Sequence, residues 1–370
     1  MRRAVELAQL GQGHVEPNPM VGCVVVREDR VLAEGYHRRY GGPHAEVVAA
    51  GDQPVAGQWN GATLYLTLEP CSHWGKTPPC SELLVRLAPS RVVIACRDPF
   101  PLVDGRGIDR LRQAGIATEV GCLAEAAEQL IAPFRKLQSQ RRPWVIAKWA
   151  MSLDGKIATH SGDSQWISSA ESRQHVHQLR GRVDAILVGS QTALADDPLL
   201  TARPPGPRTP LRVVIDSRAS LPTSSRLATT AAEYPTLLWT SPAAPDDALE
   251  QLRSCGVETM VCSANCPQER LLALLDELGR RRCTNLLVEG GGQLLGSLRD
   301  LDQIDEAQVF IAPLLIGGQQ ALSPMLGSGA DRLSAACHLS HCQWLPIGSD
   351  LLGIARRSVQ PDALSLCADH

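Results

Sequence analysis

The sequence predicts an α/β chain of two domains, and three observations carry that expectation. Strand and helix patterns alternate along most of the 370 residues, the arrangement in which helices layer over a sheet. That length exceeds one ordinary core and suggests about two domains. A short polar, basic break, Gln138-Ser139-Gln140-Arg141-Arg142-Pro143, separates two alternating series, so domains are expected over residues 1–140 and 144–370.

Residues 4–10 read as an amphipathic helix, 11–19 as a loop and 21–26 as a strand, after which Glu28-Asp29 turns the chain into a second strand of a hairpin. A helix is expected from near His44, then strand 63–67, helix 81–87, strand 91–95, helix 107–114, strand 116–120 and helix 123–137. The second series opens with strand 144–149 and continues with strands 185–189, 212–216, 236–240, 285–288 and 308–311. Arg203-Pro204-Pro205-Gly206-Pro207-Arg208 reads as an exposed loop, because proline cannot donate to a helix or sheet ladder. No tandem repeat relates the halves.

Composition narrows the function. Thirty-six Lys and Arg against 39 Asp and Glu give a net charge of −3, without the basic excess of a nucleic-acid surface or a polybasic membrane anchor. Hydrophobic residues at 44% and charged residues at 20% fit a globular chain, and no apolar run approaches the roughly 20 residues of a membrane span. The first residues enter a helical pattern without an apolar leader, so a cytoplasmic protein is expected. Twelve cysteines spread from Cys23 to Cys367 are then expected to be mostly reduced. Cys337-His338-Leu339-Ser340-His341-Cys342 has the composition of a metal cluster; on a strand its ligands divide between opposite faces, whereas a helix would bring some of them together. His175 and His177 are expected on a solvated helix face.

His44-Ala45-Glu46 followed by Pro70-Cys71 and then Cys80 supplies one imidazole and two thiolates, three ligands of a tetrahedral zinc with the fourth position open for chemistry. Zinc brings a bound water towards neutral pKa, and a carboxylate that is not a ligand can pass that water's proton to a leaving amine. Glu46, two residues beyond His44, is the expected proton carrier. Zinc deaminases commonly space the cysteines Cys-x-x-Cys, whereas eight residues lie between Cys71 and Cys80. His73 is a further nitrogen donor in that loop, expected to contact substrate or to pack.

Pro17-Asn18-Pro19-Met20-Val21-Gly22, His44-Ala45-Glu46 and Thr67-Leu68-Glu69-Pro70-Cys71-Ser72-His73 with Gly75-Lys76-Thr77-Pro78-Pro79-Cys80 closely resemble the bifunctional deaminase-reductases of riboflavin biosynthesis. The resemblance implies a three-layer, cytidine-deaminase-like zinc domain at the N-terminus. It also implies hydrolytic removal of the 2-amino group of 2,5-diamino-6-ribosylamino-4(3H)-pyrimidinone 5′-phosphate, with Asn18 touching the substrate. Trp74 and Phe100 stand where the family usually has His and Asn.

In the second half, Val288-Glu289-Gly290-Gly291-Gly292-Gln293-Leu294-Leu295-Gly296-Ser297 reads as strand, glycine turn and helix start, which presents backbone N–H groups to a phosphate. Its spacing, Gly290-x-Gly292-x-x-x-Gly296, is not the dinucleotide fingerprint Gly-x-Gly-x-x-Gly. Residues 148–156, 162–167, 184–189 and 195–203 extend the resemblance to the family's reductase domain, implying a dihydrofolate-reductase-like fold that reduces a ribosyl group to ribityl with NADPH. Carried over by motif, Ala150, Trp166, Thr192, Asp196, Ser217, Gly291, Gly292, Gln293, Leu294, Leu295, Gly296 and Ser297 surround NADPH. Ser164, Arg180, Leu200, Arg203 and Glu289 hold the substrate, with Lys148 and Asp154 as polar neighbours. The arginines suit a phosphate through forked, charge-assisted bonds.

The resemblance further implies one zinc per chain, a phosphorylated pyrimidine as the small-molecule partner, and a homo-oligomer, with neither nucleic acid nor membrane involved. A deaminase acting on flipped nucleic-acid bases uses the same zinc chemistry, but needs a basic groove and stacking aromatics, and aromatic residues are only 4% of this chain. A zinc-binding scaffold without turnover is the other class, separated by whether bound zinc releases ammonia.

Overall fold

The alternating pattern folds as two units, Met1–Arg141 and Arg142–His370, and the computed structural model describes residues 1–74, 78–100 and 103–357. Gly75, Lys76, Thr77 and Pro101 of the motif segments, and the tail from Val359, lie outside the described residues.

In chain order the first unit contains α1 (Arg2–Gln9), β1 (Gly22–Arg27), β2 (Arg30–Tyr36), α2 (Ala45–Ala50), β3 (Thr63–Leu68), α3 (Cys80–Leu87), β4 (Arg91–Cys96), α4 (Arg106–Gln113), β5 (Ala117–Val120) and α5 (Ala124–Gln140). The sheet runs β2-β1-β3-β4-β5. The hairpin β1–β2 turns on Glu28 and Asp29, both at positive φ, the conformation that matches the twist of a tight hairpin. β1 is antiparallel to β2 and β3, whereas β3, β4 and β5 are parallel.

Strand alternation then makes the layers. Cys23, Val25, Leu64, Leu66, Val92 and Ile94 face Ala45, Ala49, Leu84, Leu87, Ile108 and Leu111 of α2, α3 and α4. Val24 turns the other way, onto Ala4 and Leu7 of α1, and Leu68 and Ala95 pack with Ala8 of α1 and Ala127 and Ile131 of α5. Helices therefore cover both faces of the sheet, giving the expected three layers. The polar break begins later than its composition suggests, because α5 continues through Gln140, and Ser139 Oγ donates to the Arg135 carbonyl one turn back.

The second unit contains β6 (Trp144–Ser152), α6 (Ala170–Arg180), β7 (Ala185–Gly189), α7 (Ser190–Asp196), β8 (Leu211–Ile215), α8 (Arg226–Thr229), β9 (Thr236–Thr240), α9 (Asp246–Ser254), β10 (Glu258–Val261), α10 (Pro267–Arg280), β11 (Asn285–Val288), α11 (Gly292–Asp300), β12 (Glu306–Ala312), β13 (His341–Ile347) and β14 (Asp350–Arg356). Its sheet runs β10-β9-β8-β7-β11-β6-β12-β14-β13, and only the pairings made by β14 are antiparallel. Insertion of β11 between β6 and β7 brings segments distant in sequence to the same end of the sheet. Leu271, Leu274, Leu275 and Leu278 of α10 cover one face with Leu295 and Leu298 of α11. Val176 of α6 packs with Phe310 and Leu352 on a separate cluster.

The closing hairpin β13–β14 was not anticipated from the sequence. β13 is exposed along most of its length, so it lacks the alternation that would mark a half-buried strand. His341 and Cys342 begin that strand, while Cys337 and His338 precede it. Among the described residues, the group whose His, Cys, Asp or Glu ligand atoms converge is His44, Cys71 and Cys80. No helix is long and apolar enough to cross a membrane among the described residues.

Candidate active sites

His44 is the N-cap of α2, in extended conformation, and Glu46 occupies the helix's first turn. The pair thus straddles a helix start rather than lying within a helix. Cys71 follows the end of β3, and Cys80 opens α3. The first turn of α3 has orphan donors, and Cys71 takes two of them: its Sγ accepts the Cys80 N–H at 3.3 Å and its carbonyl accepts the Ser81 N–H at 3.1 Å. This seats the two cysteines side by side despite the long loop between them.

The three ligand atoms lie within 4.8 Å of one another. His44 Nδ1 is 3.6 Å from Cys71 Sγ and 3.3 Å from Cys80 Sγ. Zn–S bonds near 2.3 Å and Zn–N bonds near 2.0–2.1 Å at tetrahedral angles give S···N edges of about 3.6 Å, so the donor set has the size and chemistry of a zinc site. Hydrogen bonding from Cys80 is the main influence holding the Cys71 thiol down, to about 4. Glu46 is only 3% exposed, and burial pushes its carboxyl upward, against the neighbouring His44. A carboxyl so poised can take and return a proton.

Asn18 reaches this site through a residue that motif reading did not identify. The Asn18 amide nitrogen lies 3.4 Å from His37 Nε2, and His37 Nδ1 lies 2.9 Å from the Pro43 carbonyl. Burial lowers the His37 pKa, so Nδ1–H donates to Pro43 and Nε2 accepts from Asn18. The His37 ring meets His44 edge-on at 5.7 Å. An isolated histidine after a strand carries no spacing signal, so only the fold discloses this relay.

In the second unit, Arg180 at the end of α6 and Glu289 just beyond β11 form a two-pronged ion pair of 2.6 and 2.8 Å. Lys148 Nζ lies 3.9 Å from the same carboxylate. Burial alone would raise Glu289, but the charges of Arg180 and Lys148 prevail and hold it at about 2. Arg203 Nη1 donates to Thr201 Oγ1 at 3.0 Å.

His177 departs from the solvated-face expectation. Its Nδ1 lies 3.2 Å from the Thr201 carbonyl and its Nε2 3.4 Å from Arg203 Nη2. Burial, then Arg180 and Arg203, lower its pKa, leaving a neutral ring that donates to Thr201 and accepts from Arg203. The spacing His177-x-x-Arg180 puts both residues on one helix face. That pattern was the available signal.

Thr192 Oγ1 accepts the Gly291 N–H at 3.1 Å, tying α7 to the glycine turn. α11 begins at Gly292, so the N–H groups of its first turn, at Gly292 and Gln293, have no partner within the helix. Leu295 is instead a core residue, and a Cβ on Gly296 would lie 1.7 Å from the Leu326 carbonyl oxygen. Gly296 therefore admits a neighbouring chain segment, and Leu294 and Ser297 lie farther along the same helix. Trp166 is 68% exposed, with the Arg173 guanidinium 4.6 Å from its ring centre. Asp196 is hydrogen-bonded by the Gln165 side chain, Ala150 pairs with Phe310 across β6 and β12, and Ser217 is an exposed turn residue whose carbonyl accepts from Ser241. Ser164 is half-buried in the loop before α6.

Leu200 and Asp154 each also have a part in the local fold. Leu200 is buried at positive φ, so its side chain packs inward. The Asp154 carboxylate accepts from Ser152 Oγ and the Ile316 and Gly317 N–H groups, securing a loop.

Residues 143–352 match a family model described as the RibD C-terminal domain, and residues 1–96 match the zinc-binding region of cytidine and deoxycytidylate deaminases. A riboflavin biosynthesis protein RibD of Actinobacillus pleuropneumoniae is 42% identical over 354 residues, covering 95% of this chain and 93% of the relative. The chain belongs to the RibD family. The RibD of Escherichia coli K12 is 40% identical, over 86% of this chain and 88% of its own. Among solved structures, Acinetobacter baumannii RibD superposes with a TM-score of 0.81 at 33% identity, covering 96% of this chain and 97% of that one. A Thermotoga maritima structure described as a diaminohydroxyphosphoribosylaminopyrimidine deaminase/5-amino-6-(5-phosphoribosylamino)uracil reductase reaches 0.79 at 34% identity, with the same coverages. RibD proteins pair a zinc-dependent deaminase with an NADPH-dependent reductase, and both domains are present here in the folds that the resemblance implied.

Proposed function

We propose that residues 1–140 hydrolyse the 2-amino group of 2,5-diamino-6-ribosylamino-4(3H)-pyrimidinone 5′-phosphate, and that residues 144–370 reduce the ribosyl group of the resulting 5-amino-6-(5-phosphoribosylamino)uracil to ribityl. The observation that carries the first step is the convergence of His44, Cys71 and Cys80 around one point beside a buried Glu46. His44 Nδ1 and the two thiolates would hold the zinc, which would supply a Lewis acid that lowers the pKa of water. Glu46 carries the proton from the attacking water to the departing amine at its carboxylate, and Asn18, oriented by His37, aligns the pyrimidine.

For the second step, Arg203 and Arg180 receive the 5′-phosphate, with His177 fixing the Arg203 guanidinium. Glu289 and Lys148 stand at the adjoining polar centre. The α11 first turn, Thr192, Trp166, Asp196, Ala150 and Ser217 form the cofactor side. Open space around Gly291 fits close approach of a phosphate, since a Cβ there would meet only Thr192 Oγ1, at 3.5 Å. NADPH supplies the hydride, and the chain's contribution is to orient the sugar and exclude competing geometries.

A coupled assay on zinc-loaded protein tests the whole reading: ammonia release followed by NADPH oxidation in one tube is expected. Ammonia without NADPH oxidation would refute the second assignment, and neither signal from folded, zinc-bound protein would refute both. The same reading includes a homo-oligomer in the cytoplasm, tested by sedimentation and by cell fractionation.

A further inference from the structure

Glu69, the third residue of Thr67-Leu68-Glu69-Pro70-Cys71, is 3% exposed. No cation pairs with it among the described residues. Its carboxylate instead gathers four backbone N–H groups: Oε2 accepts from Asp98 at 3.3 Å and Gly105 at 3.0 Å, and Oε1 from Gly107 at 2.9 Å and Ile108 at 3.3 Å. The last two belong to the first turn of α4, whose N-cap, Gly105, offers no side chain. One carboxylate thus anchors the exit from β4 and the start of α4 together. The fit is close, because a Cβ on Gly107 would lie 2.0 Å from the Pro70 carbonyl oxygen.

Between those anchors, Phe100 faces the turn that carries Cys71. Asp98 Oδ1 accepts the Phe100 N–H at 2.9 Å, and the Phe100 carbonyl accepts from Val103 at 2.8 Å and Asp104 at 3.2 Å. The Phe100 ring meets the His73 ring at 5.8 Å. Beside them, Ser72 Oγ and His73 Nδ1 are buried polar atoms without a hydrogen-bond partner among the described residues. Unsatisfied buried groups of this kind are costly unless a ligand completes them.

We propose that Glu69 is a positioning residue for deamination: by clamping the backbone at Asp98 and Gly105, it holds Phe100 against His73 as a wall of the substrate pocket next to Cys71. This rests on the deaminase reading of the first unit. The wall binds substrate without touching the reacting atoms, so its loss weakens ground state and transition state alike and is read in KM rather than kcat.

The test is Glu69→Gln in the full zinc-loaded chain. Glutamine keeps the volume, but its amide NH2 confronts N–H donors where a carboxylate oxygen accepted them. The KM for deamination is expected to rise about tenfold with kcat within about threefold, while zinc stays at one per chain and reduction of the deaminated substrate is unchanged. Phe100→Ala should raise KM similarly, and the double variant should be no worse than either single one, because both act through the same wall. An unchanged KM, additive effects, or loss of zinc with loss of kcat would each overturn the proposal. If Glu69→Gln does not fold, amide exchange in the unaltered protein decides together with Phe100→Ala. Slow exchange at Asp98 and Gly105 with a raised KM supports the clamp, and fast exchange or an unchanged KM overturns it. Absence of ammonia release from the unaltered protein would defeat the deaminase reading itself.

Discussion

Arg180 and Glu289, 109 residues apart, meet through two parallel bonds, Nε to Oε1 at 2.6 Å and Nη2 to Oε2 at 2.8 Å. Both side chains are largely withdrawn from solvent. In that setting a forked pair is strong once made and expensive to break, since the surviving charge remains buried.

Glu289→Gln is therefore expected to destabilise the second unit by about 3 kcal/mol at pH 7. The folded carboxyl sits at about 2, below its unfolded value of 4.5, so its contribution is complete above pH 4.5 and is lost as the pH falls towards 2. The stability gap between the unaltered protein and the variant should shrink across that window. Urea titrations at several pH values measure this, and a gap independent of pH would contradict the assignment.

Glu46→Gln deletes the proposed proton carrier without deleting any of the three converging donors. Deamination should fall by at least a hundredfold, with zinc content and NADPH oxidation of the deaminated substrate retained. Ammonia release and metal analysis on the same sample check it. Normal ammonia release would remove Glu46 from the mechanism.

Arg203→Ala should raise the KM for the phosphorylated substrate of reduction by about ten- to a hundredfold, the worth of a charge-assisted contact. His177→Ala should have a smaller effect in the same direction, because it frees the guanidinium without removing it. Steady-state kinetics separate the two, and an unaffected Arg203→Ala enzyme would rule out phosphate binding there.

Gly296→Ala places a methyl against the Leu326 carbonyl, whose oxygen would lie only 1.7 Å from the added Cβ. The segment must move, at a cost of about 1–3 kcal/mol, and on the proposed reading, in which the start of α11 faces the cofactor, NADPH should bind more weakly. Denaturant unfolding and a fluorescence titration with NADPH read the two effects. Unchanged values in both would show that the segment yields freely.

Much of the zinc site was legible because its chemistry needs particular residue types in order. His44, Glu46, Cys71 and Cys80 are marked by what they can do to a metal and a proton, whatever the fold. The glycine turn at 290–296 was legible as a turn, but Gly291 and Gly296 look alike in sequence: one leaves open space, the other admits the Leu326 backbone. His177 lies off the solvated face because the segment that partners it, Thr201 to Arg203, arrives from beyond β7 and α7. β13 escaped because an exposed edge strand has no buried face to impose alternation.

By itself, the sequence determined the alternation of strand and helix, the break between two series and the metal-ligating residue types, all of which follow from local periodicity and side-chain chemistry. Tertiary structure alone decided the order of strands in each sheet. Inserting β11 between β6 and β7 brings Glu289 to Arg180 and Lys148, and folding α4 back onto Pro70 gives Glu69 four distant N–H groups to hold. Such pairings depend on which backbone groups remain unsatisfied after the chain has packed, and no local pattern encodes that.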